Sequence, residues 1–272
     1  MKNVFDITGK KALVTGSSNG LGRAIAEGLA DNGADVAIHY YAGYDQEREA
    51  GNSADEAIES IKSKGRNAIA IEGNLEEPGA AERIYNEAVA GLGQIDILVL
   101  NASVQSNKPL FKMTSEDMDW EYQVNFKSTV EFLQKSLPDM AANKWGRVLT
   151  IGSIQQSRPV PWCITYAGLK AAQETLIRSL AVDFAADGVM LNNLAPGIIS
   201  TNRNHFQKLE NDNWENELKA RNPANIVSGP DDYVGAALLF CSDASRFITG
   251  ANLFATGGGH LSYTEVALDQ DG

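Results

Sequence analysis

Tyr166 and Lys170 stand four positions apart, and Ser153 precedes the tyrosine by thirteen. Together they could supply a proton-exchanging phenol, a cation beside it and a hydroxyl donor for a carbonyl oxygen. Residues at i and i+4 share one helix face, so a helix here would bring the Lys170 ammonium to Tyr166. Free tyrosine ionises near pH 10, at about that value. A nearby cation favours the phenolate, and a general acid/base works best when its pKa approaches the operating pH. Taken alone, Tyr-x-x-x-Lys is equally the mark of a helix with one tyrosine and one surface lysine. Its meaning depends on the elements that position it.

The first of those elements lies at the amino terminus. Lys11–Thr15 reads as a short buried strand that runs into Gly16-Ser17-Ser18-Asn19-Gly20-Leu21-Gly22. Leu21, Ile25 and Leu29 then recur every four residues, the period of an amphipathic helix. In a strand–turn–helix context, glycines let the backbone approach a pyrophosphate, and the helix amino terminus presents N–H groups and a positive dipole end. The spacing is Gly-x-x-x-Gly-x-Gly, and no Gly-Lys-Ser/Thr follows as a P-loop requires.

Further strand-like runs are Val36–Tyr40, Ala68–Ile71, Ile95–Leu100, Arg147–Ile151, Val189–Leu194 and Asn252–Ala255. Helical patterns separate them, which predicts βαβ units and a single-domain α/β fold. The expected architecture is a Rossmann-type doubly wound parallel sheet of about seven strands with helices on both faces. In such sheets ligands sit beyond the carboxyl ends of the strands. The glycine turn, Asn101, Ser153 and Pro196 all follow strand ends and so should converge on one edge. Tyr41 to Asn52 reads as a long polar loop. The stretch 198–228 reads as a polar substrate lid, and Leu261–Gly272 has no strong pattern.

Composition narrows the class further. The 272 residues are 43% hydrophobic and 21% charged, with a net charge of −12. That length suffices for one large core, and the acidic balance disfavours a nucleic-acid partner. Two cysteines, Cys163 and Cys241, are too few for a disulfide framework. No apolar run reaches the roughly 18 residues of a membrane span, and no signal-peptide pattern opens the chain. A cytoplasmic protein with no membrane partner is the expectation.

The chain resembles the classical short-chain dehydrogenases/reductases along nearly its whole length. The resemblance rests on Thr15-Gly16 with Gly20-Leu21-Gly22, Asn101-Ala102-Ser103, Asn125, Ser153, Tyr166-Ala167-Gly168-Leu169-Lys170, Pro196-Gly197-Ile198-Ile199-Ser200-Thr201, Ile248-Thr249-Gly250 and Gly257-Gly258. It implies a nicotinamide-dependent oxidoreductase with no metal, in which Tyr166 exchanges a proton with the substrate oxygen. By the same resemblance Lys170 tunes Tyr166 and holds the nicotinamide ribose, Ser153 holds the substrate oxygen, and Asn125 anchors a water in a proton relay. The implied cofactor-binding residues are Gly16, Ser18, Asn19, Gly20, Leu21, Tyr40, Asn74, Leu75, Asn101, Ala102, Ser103, Tyr166, Lys170, Pro196, Gly197, Ile199 and Thr201.

Four positions depart from the family pattern, the first being Ser103 as the third residue of the Asn-Ala-Gly motif. Tyr40 stands where NAD-preferring members carry Asp at the end of the second strand, which removes repulsion against a 2′-phosphate and favours NADP. Asn19 occupies the place of an Arg found in many NADP-dependent relatives, and leaves Arg23 as the nearest basic residue. Asn74 replaces the acid that reads adenine, though its amide oxygen can still accept. Substrate candidates are Gln105, Gln155, Arg158, Trp162, Asn202, Arg203 and His205. Their polarity suits a sugar, polyol or hydroxy acid, and a 3-oxoacyl substrate remains open. Rival readings are a non-catalytic dinucleotide sensor and a sugar epimerase or dehydratase. The resemblance also implies a homotetramer or homodimer formed through helices over Asp117–Met140 and Thr165–Phe184.

Overall fold

A computed structural model describes residues 3–47, 53–201 and 211–261. Its seven strands are β1 (Lys11–Val14), β2 (Asp35–Tyr40), β3 (Ala68–Glu72), β4 (Ile97–Leu100), β5 (Gly146–Ile151), β6 (Val189–Pro196) and β7 (Asn252–Ala255). All pairings are parallel, in the order β3-β2-β1-β4-β5-β6-β7. The order reverses between β1 and β4, which places the switch point where the glycine turn leaves β1. β4, β5 and β6 are buried along their whole length. A strand covered on both faces reads as a near-continuous apolar run, and for that reason Ile97-Leu98-Val99-Leu100 shows no alternation.

The described helices are α1 (Gly20–Asp31), α2 (Ala42–Glu47), α3 (Ser53–Ser63), α4 (Ala80–Leu92), α5 (Ser115–Tyr122), α6 (Ser128–Ala142), α7 (Ile164–Phe184), α8 (Trp214–Ala220) and α9 (Val234–Cys241). One sheet face packs on α4, α6 and α7 through Ile84, Phe132, Leu133 and Ile177. The other packs on α1, α3 and α9 through Ile25, Leu29, Ile61 and Phe240. Burial of such side chains contributes roughly 1.5–3 kcal/mol each, so both layers hold the sheet edge in place. None of the described helices is long and apolar enough to cross a membrane.

Two readings need correction. The polar stretch Tyr41–Asn52 is not all loop, because α2 occupies its first half; residues 48–52 lie outside the described residues. Asp117–Met140 is not one regular helix either. A π-helical turn at Gln123–Lys127 joins α5 to α6, a local widening that often marks functional positions.

Candidate active site

The glycine turn is built by close backbone approach. Gly16 has φ +62°, and a Cβ on it would lie 3.0 Å from Ala102 Cα. A Cβ on Gly22 would lie 2.2 Å from Gly16 O and 2.5 Å from Asn101 Nδ2. Asn101 closes the turn by donating its amide to the carbonyls of Thr15 (2.9 Å) and Gly16 (2.8 Å). Thr15 Oγ1 in return accepts from the backbone N–H groups of Asn101 and Ala102. The Asn101-Ala102-Ser103 segment and the glycine turn therefore form one unit across β1 and β4.

His39, one residue before the end of β2, is a member of that unit which sequence reasoning passed over. Its ring is 2% exposed. Nδ1 accepts from Gly16 N at 3.1 Å, and Nε2 lies 3.0 Å from Gly73 O. A carbonyl can only accept, so Nε2 carries the proton. Burial holds the ring pKa down to about 4, which keeps Nδ1 available as an acceptor near neutral pH. The apolar strand pattern hides this role, because His39 occupies an inward-facing position.

The α1 amino terminus has no side-chain cap and no acidic residue in its first turn. Asn19, at the cap position, turns its amide instead to Ser18 Oγ (3.2 Å) and Asp45 Oδ1 (2.8 Å). Ser103 Oγ is shielded from solvent with no hydrogen-bond partner among the described residues. Leu21 and Leu75 are buried beside the turn and beyond β3. Asn74 Oδ1 accepts from Glu76 N at 3.0 Å, so one of its two lone pairs is already engaged. Arg23 pairs with Glu27 at 2.8 Å and Glu56 at 3.0 Å. Its guanidinium is directed to those carboxylates.

Beyond β5 the chain makes a tight turn at Ser153. Ser153 Oγ accepts from Gln155 N at 3.1 Å, and Gln156 Oε1 accepts from Ser153 N at 3.0 Å. α7 then brings Tyr166 and Lys170 to the same edge, with Tyr166 7% and Lys170 1% exposed. Lys170 Nζ lies 5.7 Å from the Tyr166 ring centroid, as the shared helix face predicts. The ammonium donates to Ile151 O (2.7 Å) and to Gln173 Oε1 (3.3 Å).

Asn125 sits in the π-turn and is 1% exposed. Its side chain exchanges two hydrogen bonds with the Val104 backbone, at 2.9 and 2.8 Å. Gln173 Nε2 donates to Thr129 Oγ1 (3.0 Å), and Thr129 Oγ1 donates to Asn125 O (3.3 Å). A buried chain of side chains thus runs from Lys170 through Gln173 and Thr129 to the Asn125 carbonyl. Gln173 and Thr129 were missed in the sequence because each looks like an ordinary polar helix residue.

β6 ends at Pro196, and Gly197 N donates to Ala255 O. The chain returns over the glycine turn, since a Cβ on Gly20 would lie 3.6 Å from Thr201 Cγ2. Ile199 bridges to Ser228 and closes the base of the 198–228 excursion. α8 lies within that excursion, with Leu218 buried. Asn202, Arg203 and His205 lie outside the described residues.

Among the remaining substrate candidates, Gln105 donates to Asn107, and Gln155 Oε1 accepts from Val160 N at 2.9 Å. The latter bond gives Gln155 a role in shaping the Ser153 turn. Arg158 is corrected: its guanidinium donates to the carbonyls of Gly259 and Leu261, so it ties the turn after β7 to the Ser153 loop. Trp162 is 52% exposed beside α7. Burial raises both thiol pKa values, Cys241 to about 12, so neither cysteine is an activated nucleophile. Among the described residues no cluster of His, Cys, Asp or Glu could hold a metal ion.

A parallel sheet whose switch point carries a glycine turn, with a buried lysine beside a tyrosine on the same edge, defines a dinucleotide-dependent α/β oxidoreductase. Comparison with known proteins makes the class specific. A family model described as enoyl-(acyl carrier protein) reductase matches residues 16–260. Glucose 1-dehydrogenase 2 of Bacillus subtilis (strain 168) is 31% identical over 255 residues, covering 93% of this chain and 95% of that protein. A 3-oxoacyl-(acyl-carrier-protein) reductase from Agrobacterium tumefaciens C58, solved with NADP bound, is 42% identical with a TM-score of 0.87, covering 94% and 96% of the two chains. A gluconate 5-dehydrogenase from Burkholderia cenocepacia J2315, solved with NADP and tartrate, is 29% identical with a TM-score of 0.85, covering 96% and 98%. The chain belongs to the classical short-chain dehydrogenase/reductase family.

Proposed function

We propose that this protein moves a hydride between a nicotinamide dinucleotide and a polar carbonyl or secondary alcohol. The observation that carries the reading is the buried Lys170 ammonium beside Tyr166, at the same sheet edge as the glycine turn. The residues suit a dinucleotide. The uncapped α1 terminus offers N–H donors and a positive dipole end to a pyrophosphate, and the Ser103 hydroxyl is buried without a partner among the described residues. Gly16, Ser18, Asn19, Gly20 and Leu21 would line the pyrophosphate, Tyr40, Asn74 and Leu75 the adenosine, and Pro196, Gly197, Ile199 and Thr201 the nicotinamide end. The dinucleotide, when bound, supplies or takes up the hydride.

The protein's own task is the proton and the charge on oxygen. Ser153 Oγ already accepts from a backbone N–H, so its hydroxyl proton is left to donate to the substrate oxygen. Tyr166 gives its proton to that oxygen in reduction and takes it back in oxidation. Lys170 places a fixed positive charge beside the phenolate, where it stabilises the charge that develops. A cation in a buried site is more effective than one in water, because the effective dielectric is lower. Asn125 holds the Val104 backbone and, through Thr129 and Gln173, orients Lys170.

The substrate class we favour is a sugar, polyol or hydroxy acid. Gln105, Gln155 and Trp162 would supply polar and aromatic contacts to such a substrate, and two of the similar proteins act on glucose and gluconate by name. A 3-oxoacyl substrate is the second reading, supported by the Agrobacterium relative. Steady-state oxidation of NADPH against sugar-derived ketones, keto acids and an acetoacetyl thioester tests both. Turnover of the polyhydroxylated compounds with no activity on the thioester is the expected result. Absence of turnover on the whole panel would count against the reading.

NADP is the cofactor we favour over NAD. β2 ends in Tyr40 without a carboxylate, and NADP is bound in the two solved relatives described above. Tyr40→Asp should restore a ribose-hydroxyl acceptor and repel a 2′-phosphate. We expect the ratio of kcat/KM for NADP over NAD to fall about tenfold or more, from the like charge introduced. A wild-type enzyme that already prefers NAD strongly would refute the assignment.

Assembly into a homodimer or homotetramer is proposed through α5, α6 and α7. Met118 and Tyr122 on α5 and Val182 on α7 are exposed, Val182 by 80%, and apolar side chains grouped on long helices favour self-association. Light scattering at micromolar concentration should give two or four times the 29.3 kDa chain mass. A monomer mass would exclude it.

A further inference from the structure

His39 stands one residue before the end of β2, in register with Ile71 of β3. An apolar side chain would suit that buried strand position. The imidazole instead reaches past the strand on both sides. Towards β1, Nδ1 accepts from Gly16 N at 3.1 Å, and the His39 carbonyl accepts from Ser17 N at 2.9 Å. Towards β3, Nε2 donates to Gly73 O at 3.0 Å, and Gly73 N donates to Tyr40 O at 2.9 Å. Gly73 leads directly into Asn74 and Leu75. One ring therefore ties the glycine turn to the segment read above as the adenosine wall.

The bond to Gly16 bears on the ligand. Gly16 lies past the end of β1, so its N–H goes to the ring rather than to a strand carbonyl. A buried N–H must have an acceptor somewhere. The place is tight as well, with φ +62° and Ala102 Cα 3.0 Å from where a Cβ would stand. Holding Gly16 N fixes the start of the turn that leads to the α1 amino terminus, where N–H groups face a pyrophosphate. Burial, the foremost influence on the ring, keeps it neutral and Nδ1 an acceptor. An apolar residue in its place would leave both Gly16 N–H and Gly73 C=O without this partner.

We propose that His39 is a positioning residue of the dinucleotide site: its ring locks the glycine turn against the 73–75 segment before a ligand arrives, and so raises affinity for NADPH and NADH alike. The inference rests on the oxidoreductase reading above. A turn held in advance leaves less ordering to be done on binding. The ring bonds only backbone groups, so it does not distinguish a 2′-hydroxyl from a 2′-phosphate.

Calorimetric Kd values for NADPH and NADH, measured without substrate and below the unfolding transition of each protein, test the proposal. The proteins are wild type, His39→Asn, His39→Gln and His39→Leu. Asparagine sets an amide oxygen near the Nδ1 position and keeps the Gly16 bond. Glutamine extends its amide to the Nε2 position, keeps the Gly73 bond, and serves if leucine prevents folding. The leucine and glutamine variants should bind both dinucleotides about tenfold more weakly with their ratio unchanged, the effect of one buried hydrogen bond. The asparagine variant should stay within about threefold of wild type, because its acceptor is retained. Wild-type affinity in the folded leucine or glutamine variant would overturn the proposal. An asparagine variant as weak as those two would also overturn it, since a loss indifferent to the Gly16 acceptor marks a purely structural ring. Wild-type protein that binds neither dinucleotide would overturn the oxidoreductase reading as well, whereas unchanged variants with wild-type binding intact would overturn the His39 role alone.

Discussion

Tyr166→Phe is expected to lower kcat by about 10²–10⁴-fold, the range of a positioned general acid/base. The substitution removes one hydroxyl from a ring that is 7% exposed. The ring's packing is retained, so the fold and dinucleotide affinity should persist. Loss of an interaction made in the transition state lowers kcat and kcat/KM together while KM changes little. Single-turnover and steady-state rates, with NADPH affinity measured in parallel, distinguish this from a binding defect. A variant that retains about half of wild-type kcat would remove Tyr166 from the chemistry.

Gly22→Ala is expected to damage both stability and cofactor binding. The added methyl would lie 2.2 Å from Gly16 O and 2.5 Å from Asn101 Nδ2. Neither neighbour can move without loss. Gly16 is backbone, and Asn101 is held by two carbonyls. Overpacking of this kind destabilises by about 1–3 kcal/mol, which for a chain of this size lowers Tm by about 2–12 °C. The turn would also shift away from the position that presents α1 to a pyrophosphate, with dinucleotide affinity falling at least about tenfold for each 1.4 kcal/mol of lost interaction. Thermal denaturation with and without NADPH measures both effects. Unchanged Tm and affinity would show that the turn tolerates a side chain at this position. Gly168, where a Cβ meets nothing within 4 Å, provides the matched control, since Gly168→Ala should leave the turn intact.

Much of this architecture is legible in the chain. Alternating strand and helix periods define a parallel sheet, because strands covered on both faces are mostly apolar. The Leu21, Ile25 and Leu29 stripe marks the helix that follows the glycines. Strand ends carrying Gly16, Asn101, Ser153 and Pro196 must meet at one edge once the strands are parallel. The i, i+4 spacing of Tyr166 and Lys170 likewise fixes their proximity within a single helix.

Other features were not legible because they depend on pairs distant in sequence. Arg158 has the side chain of a substrate ligand, yet it donates to the carbonyls of Gly259 and Leu261. Arg23 has the charge for a phosphate, yet Glu56 on α3 takes it. α2 lies within a polar stretch whose helix has too few residues to show an apolar period. Asn125, within the π-turn, spends its side chain on two bonds to Val104, a partner 21 positions away.

Local periodicity and motif spacing are thus properties the chain itself determines: the succession of strands and helices along it, the shared face of Tyr166 and Lys170, and the edge on which the reactive groups gather. Tertiary structure alone decided where each polar side chain spends its hydrogen bonds. It gave His39 to Gly16, Gln173 to Thr129 and Asp45 to Asn19. The physical reason is that a buried polar group must find a partner. Most of these partners are remote in sequence, and which one is within reach is settled only when the sheet and its helices are assembled.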